Sequence, residues 1–395
     1  MSAEAGQPPQ IDSVRDWILS EGRLISSTAE FLEEYGAALN RVGIPLLRST
    51  LHIRTLHPQV LATMWIWRRG ERGSKIDREH GIEITAAYLQ SPIRVIYEGA
   101  GAVRRRLDVP DEQLDFPVLR EVKAEGATDY VVLPVRFTGG VTAAATFATD
   151  RPGGFTTAHL ACLDQLMPYV ALVLEVQTKS QVLTTLLDTY LGHHAGRRVL
   201  AGTIRRGDAE PINAVLWYCD LRGSTELAQR LEPDLLIDTL NVFFAVVGGA
   251  VQGAGGDILK FIGDAMLAIF PIEELEYCHV KARRALAAAG EVQARLAALN
   301  EARREAGEQP LACGIALHVG DVYFGNVGAP NRLDFTVIGQ AVNCAARIEG
   351  LCKELREPLL LSGDLAKYVD RPLRSRGTHL LRGIAEPIEV FALER

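Results

Sequence analysis

From residue 213 to the C-terminus, short apolar runs alternate with longer stretches of helical periodicity. That alternation restricts the region to an α/β sandwich built on a central sheet. The first run, Ala214-Val-Leu-Trp-Tyr-Cys219, reads as a buried strand and ends on Asp220. Two more runs, 257–262 and 265–270, flank Gly263-Asp264, a pattern that predicts a hairpin. Helices are predicted at 224–231, 233–252, 276–306 and 340–351. Further strands are predicted at 311–318, 321–326 and 333–338, with more to follow. No internal repeat is evident.

The first half reads differently. Helical periodicity covers 11–48, with Val14, Trp17 and Ile18, then Phe31, Leu32, Tyr35 and Leu39. Candidate strands follow at 50–56, 60–67, 82–88 and 93–98, and a helix at 115–125. The runs 130–137 and 141–147, separated by Thr-Gly-Gly, predict another hairpin. A long helix is expected from Thr157 to Leu191. Its residues Leu163, Leu166, Val170 and Val173 form a seam that suits either a core face or a parallel dimer contact. Residues 191–212 are polar and rich in Gly and Arg, which marks the best boundary. Residues 1–10 are expected to be a disordered tail.

Composition narrows the function classes. A net charge of −7 argues against a general nucleic-acid binder. No apolar stretch reads as long enough to span a membrane, and no signal peptide is evident. The six cysteines are scattered without a Cys-x-x-Cys pair, as expected for buried thiols in a reducing cytoplasm.

Several residues suggest chemistry. Asp220 and Asp264 each sit beside an apolar strand and close to a glycine; together they would form an acidic site for divalent metals, suited to phosphoryl transfer. Singly, Asp220 also reads as a helix N-cap, and Gly263-Asp264 as a plain turn. Lys260 lies inside an apolar strand and must reach water or a partner. In Asp334-Phe-Thr-Val-Ile-Gly-Gln-Ala-Val-Asn-Cys-Ala-Ala-Arg-Ile-Glu349, a strand ends at Gly339 and a helix begins. Asn343 and Arg347, four apart, share one face of that helix.

Taken together, Asp-Leu-Arg-Gly-Ser-Thr (220–225), Lys-Phe-Ile-Gly-Asp (260–264), Gly-Asn-Val-Gly (325–328) and Thr-Val-Ile-Gly-Gln-Ala-Val-Asn-Cys-Ala-Ala-Arg (336–347) resemble the catalytic domain of class III adenylate/guanylate cyclases. The resemblance covers about 210–395 and implies a ferredoxin-like βαββαβ domain at 213–395. The first half, 11–175, resembles a GAF-type α+β sensory domain at the level of element pattern, a PAS-like or unrelated α+β domain being the alternative, with 176–212 as helical connector and linker.

The cyclase resemblance implies a role for each matching residue. Asp220, Asp264 and the carbonyl of Leu221 would hold two Mg²⁺ or Mn²⁺ ions. Gly223, Ser224 and Thr225 would cradle phosphates at a helix N-terminus. Lys260 and Thr336 match the purine-selecting positions, Asn343 would orient the ribose, and Arg347 would stabilise charge on the α-phosphate. Arg382 would meet the terminal phosphate. A lysine at the first purine position favours ATP, whereas family guanylate cyclases carry an acid there. Threonine at the second resembles the subclass that includes bicarbonate-responsive enzymes, so bicarbonate is an expected regulator. The resemblance also implies a homodimer with shared sites, and the expected location is the cytoplasm. Two places depart from the family pattern: Ser224, where an aromatic is usual, and the strand before His318, which often carries an arginine but here reads Cys-Gly-Ile-Ala-Leu-His.

Overall fold

A computed structural model describes residues 11–394, so the expected tail at 1–10 lies outside the described residues. The chain divides into two units that meet in sequence between Leu186 and Leu187, within the helix Thr157–Leu191.

The first unit is built on a six-stranded antiparallel sheet. Its spatial order is Ser74–Glu79, Val60–Arg68, Arg48–Arg54, Thr142–Thr149, Asp129–Arg136 and Val103–Arg106. One face packs under the helices Ile11–Ser20, Thr28–Arg41 and Thr157–Leu191 through Ile18, Phe31, Phe147, Leu163 and Leu166. Ile96, Leu119, Val122 and Val132 fill a second core.

Two expected strands in this unit are helices instead. Residues 82–88 hold a 3-10 turn, Ile82–Ile84, and the start of the helix Ala86–Leu89. Residues 93–98 fall on the helix Pro92–Tyr97 and its C-cap. The Ser91 side chain accepts from the Ile93 N–H, and Pro92 occupies the first turn, where its missing N–H costs nothing. These capping signals outweigh the β-branched content of Ile93, Val95 and Ile96. Two strands escaped the sequence reading. Ser74–Glu79 is exposed throughout and charged, as edge strands often are, so it carries no apolar alternation.

The second unit has an eight-stranded sheet. Four strands run consecutively to one edge in the order Cys313–Ala329, Ala209–Leu221, Ala265–Ile272, Asp257–Ile262, each pair antiparallel. With the helices Pro233–Gly253 and Cys278–Glu305 as crossovers, this is the βαββαβ arrangement expected. Leu359–Ser362, Ile388–Leu393 and Leu373–His379 extend one edge, and Arg332–Ile338 pairs with the end of the long strand. The strands predicted at 311–318 and 321–326 are one continuous strand through Gly320-Asp321. The polar segment 191–212 holds a helix, His193–Leu200, and the start of the Ala209 strand.

Strand Ala209–Leu221 is covered on both faces, which explains its unbroken apolar run. Val215, Trp217 and Cys219 face one core with Phe243, Val247 and Val292. Ala214 and Leu216 face the other, with Ala195, Ala341 and Ala345. By the same alternation Asp220 lies on the side of the helix Gln340–Glu354.

The expectation that no stretch reaches membrane-spanning length needs correction. Thr157–Leu191 and Pro233–Gly253 are long and apolar enough by length and composition. Each presses part of its surface into its own unit's core, through Leu166 and Val170 in one and Phe243 and Val247 in the other.

Candidate active site

The sheet of the second unit brings Asp220 and Asp264 to the same end of adjacent strands. Asp220 is in register with Ala265 on one side and Gly314 on the other. Asp264 follows Gly263, whose φ of 64° makes the hairpin turn and suits glycine. The Leu221 N–H donates to the Asp264 carbonyl at 3.4 Å, tying the two strand ends together. Asp220 is no helix cap: the helix Ser224–Arg230 is preceded by Gly223 at φ 75°, with no side-chain cap bond.

Burial first, and then the facing charge of Asp264, push the Asp220 carboxyl up to about 6. One of its oxygens, Oδ1, is buried without a hydrogen-bond partner. A third acid adds to this field. Glu349 reaches inward from the helix Gln340–Glu354 into space that only a glycine leaves: a Cβ at Gly314 would collide with its Oε1. Burial and the charge of Asp220 lift Glu349 to about 7, with Arg222 opposing and Asp264 adding. Arg222 is anchored, donating to the carbonyls of Cys352 at 3.0 Å and Glu357 at 2.5 Å.

An orphaned carboxylate oxygen facing a second carboxylate fits a hard divalent cation, which takes oxygen ligands. Among the described residues, no three or more His, Cys, Asp and Glu side chains form a metal-holding group. The carboxylates that face each other here are those of Asp220 and Asp264.

A second group joins two strands that do not pair with each other, Asp257–Ile262 and Arg332–Ile338. The Lys260 Nζ donates to Asp334 Oδ2 at 3.5 Å. Two residues along the same strand, Thr336 is buried and its Oγ1 has no partner. Phe335 and Val337 point the other way, into the core with Phe324. Of the two residues expected from sequence, Lys260 is thus placed against Asp334, and Thr336 lies two residues further along that strand.

Asn343 and Arg347 are both exposed on the helix Gln340–Glu354, as their spacing predicts. Burial raises the phenol pKa of Tyr218; Asp220, Glu349 and Asp264 reinforce the rise and Arg347 opposes it. Arg347 is thus within electrostatic reach of the acidic group. Gly223 and Thr225 are exposed and Ser224 is half-buried at the start of the helix Ser224–Arg230. Arg382 is exposed in the connection between Leu373–His379 and Ile388–Leu393, and among the described residues no hydrogen bond or ion pair joins it to the other predicted residues. A cavity of about 1080 Å³, lined by His318, Gln340, Cys344 and Ile384 among others, contains none of the predicted residues.

Sequence reasoning missed Glu349 and Asp334. Both lie two positions from residues it did select, Arg347 and Thr336, and side-chain alternation was the available signal for Asp334.

Comparison with known proteins bears on the same region. Residues 209–390 match the family model for the adenylate and guanylate cyclase catalytic domain. An adenylate cyclase of Anabaena cylindrica is 36% identical over 173 residues, which is 43% of this chain and 33% of that protein. The chain spans about a third of the length of the curated relatives it matches. Among solved structures, the adenylyl cyclase CyaB from P. aeruginosa is 25% identical, with a TM-score of 0.44, covering 48% of this chain and 96% of that one. The guanylyl cyclase Cya2 is 26% identical, with a TM-score of 0.42, covering 47% and 93%.

Proposed function

We propose that this chain, whose residues 209–390 match the family model for the adenylate and guanylate cyclase catalytic domain, is an adenylate cyclase that converts ATP to 3′,5′-cyclic AMP and pyrophosphate. The observation that carries the reading is the pair of facing carboxylates, with Asp220 Oδ1 left unpartnered. Asp220, Asp264 and the Leu221 carbonyl would hold two Mg²⁺ or Mn²⁺ ions, whose chemistry is to acidify the ribose 3′-hydroxyl and neutralise phosphate charge.

The remaining work belongs to the chain's own groups. The ribose 3′-oxygen forms its bond to the α-phosphorus as the bond to the pyrophosphate oxygen breaks, and the 3′-hydroxyl proton is released. Asn343 orients the ribose for this attack. Arg347 stabilises the charge that builds on the α-phosphate, a contribution on the order of 10²–10³ in rate. Backbone N–H groups at Gly223, Ser224 and Thr225 hold the β- and γ-phosphates, with Arg382 at the terminal one. Fixing the reacting oxygen close to phosphorus supplies much of the acceleration.

The preference for ATP rests on Lys260 and Thr336. Adenine presents acceptors at ring nitrogens, which suit a lysine donor, and the unpartnered Thr336 Oγ1 can accept from the 6-amino group. A homodimer with one protomer's aspartates facing the partner's Asn343 and Arg347 would own two equivalent sites. Support for that arrangement is the exposure of Asn343 and Arg347 on one helix face. The first unit, with its six-stranded antiparallel sheet between helices, fits a GAF-like regulatory domain acting on that dimer.

Incubating the purified chain with Mg²⁺ or Mn²⁺ and either ATP or GTP tests the reading. Cyclic AMP from ATP, with much slower turnover of GTP, is the expected result. Cyclic GMP as the main product would make it a guanylate cyclase, and no product from either nucleotide would mark a silent nucleotide-binding module.

A further inference from the structure

We infer that the cavity of about 1080 Å³ in the second unit is a binding site for a small organic amine that also carries a hydrogen-bond acceptor. None of the residues assigned to the nucleotide lines it, and its size suits a small molecule. Its walls are the end of the buried part of the strand Cys313–Ala329, the start of the helix Gln340–Glu354, the short helix Gly363–Ala366 and the C-terminal strands.

Charge selects the ligand. Asp321, Asp364, Glu386 and Glu389 line the cavity against one ammonium, that of Lys367, which is already paired with Asp364 at 2.9 Å. Asp321 and Glu389 each accept one hydrogen bond, from Asn213 and Ser375, and Glu386 has no partner among the described residues. The surplus of carboxylates attracts a cation and repels phosphates, so this is no second nucleotide pocket. Leu373, Ile384 and Phe391 add apolar wall, which suits the carbon body of an amine.

His318 sets the second requirement. It is only 7% exposed, and burial pushes its ring down to about 4, so it is neutral at pH 7. The Ser362 hydroxyl accepts from the Leu365 N–H at 3.3 Å and lies 2.8 Å from His318 Nδ1. Ser362 is fully buried, and among the described residues Nδ1 is the acceptor for its proton. The ring proton therefore sits on Nε2, which has no partner among the described residues and is left for the cavity that His318 lines. That N–H donates to an acceptor on the ligand.

One helix couples this cavity to the nucleotide. Gln340 and Cys344 line the cavity, and Asn343 and Arg347 lie on the adjoining exposed face. A Cβ at Gly320 would lie 2.8 Å from that of Ala341, so strand end and helix are in close contact and an occupant shifts them together. The coupling rests on the adenylate cyclase reading above; the binding itself does not.

The probe is tyramine, with tyrosol and 4-hydroxyphenylacetate as its neutral and anionic counterparts and phenethylamine as the amine without an acceptor. Ligand-observed NMR titration of the full chain should give tyramine a Kd on the order of 0.1–1 mM, with each of the other three about tenfold weaker or worse. Glu386→Lys reverses a charge and Ala385→Trp fills the space; both positions are exposed, and each change should abolish binding. Saturating tyramine should change kcat/KM for ATP by about threefold or more in wild type and not in Glu386→Lys, whose basal turnover should match wild type. No saturable binding of tyramine, equally tight binding of 4-hydroxyphenylacetate, or undiminished binding by both variants would overturn the site. Phenethylamine as tight as tyramine would overturn the role of His318, and binding without a change in kcat/KM would overturn the coupling. A chain with no turnover would sink the cyclase reading and the coupling with it, while the titration still decides the site.

Discussion

Each unit places an aspartate in a strand of its sheet, and the two are treated in opposite ways. In the first unit Asp129 is fully buried, and both its oxygens are occupied. Arg104 donates to it at 2.6 Å, the Phe155 N–H at 2.9 Å and the Tyr130 N–H at 3.0 Å. Gly154, at φ 68°, gives the carboxylate room to sit there. In the second unit Asp220 has an oxygen with no partner, a second acid facing it and a carboxyl pushed up to about 6. A satisfied buried carboxylate holds a fold together; an unsatisfied one beside a like charge opposes it. The first pattern identifies architecture, and the second fits the cation site proposed above.

The strongest way to break that comparison is to remove one charge from each. Asp220→Asn should lower cyclase turnover on the order of 10²–10³-fold, since it strips a metal ligand, while leaving stability unchanged or higher. Asp129→Asn should do the reverse. It should cost about 2–4 kcal/mol of stability by leaving Arg104 and a backbone N–H without their acceptor. Urea unfolding beside a cyclase assay checks both, with hydrogen exchange at 129–155 assigning the loss to the first unit. Equal destabilisation by the two changes would make Asp220 a structural residue and end the contrast.

A smaller effect sharpens it. Saturating Mg²⁺ or Mn²⁺ should raise the melting temperature of the second unit by about 2–4 °C, because a ligand that binds only the folded state stabilises it. Asp220→Asn should lose that response and Asp129→Asn keep it. A response that survives in Asp220→Asn would put the cation elsewhere.

How much of this was legible in the sequence follows from the kind of signal each residue carries. Asp220 and Asp264 were legible because each borders an apolar strand, where a carboxylate is conspicuous. Asn343 and Arg347 were legible because helical spacing places residues four apart on one face. Glu349 was not. Its approach to Asp220 depends on Gly314 in a different element, and no local pattern encodes that distance. The βαββαβ core was readable from alternation, whereas Pro92–Tyr97 was misread because capping by Ser91 and Pro92 outweighed its β-branched residues. Ser74–Glu79 was invisible because an exposed edge strand has no buried face to imprint a period.

Glu349 supplies the finest test, because it titrates in the physiological range. Its carboxyl is raised from the ordinary glutamate value to about 7 by burial and by Asp220. Below the ordinary value it is protonated in both folded and unfolded chains, so it costs nothing. Above that value the unfolded chain releases the proton and the folded chain retains it. Stability then falls as pH rises, until the folded group ionises near 7. Glu349→Gln imitates the protonated form and should escape that loss. In the presence of a chelator, the variant should therefore match wild type near pH 4 and exceed it at pH 8. Discounted for solvent screening, the gain at pH 8 should be about 1–2 kcal/mol. Adding Mg²⁺ should shrink the gain, since a cation on Asp220 and Asp264 removes the charges that raise Glu349. A gain that is the same at both pH values would mean that Glu349 acts through packing, and that the negative field at this end of the sheet belongs to the two aspartates alone.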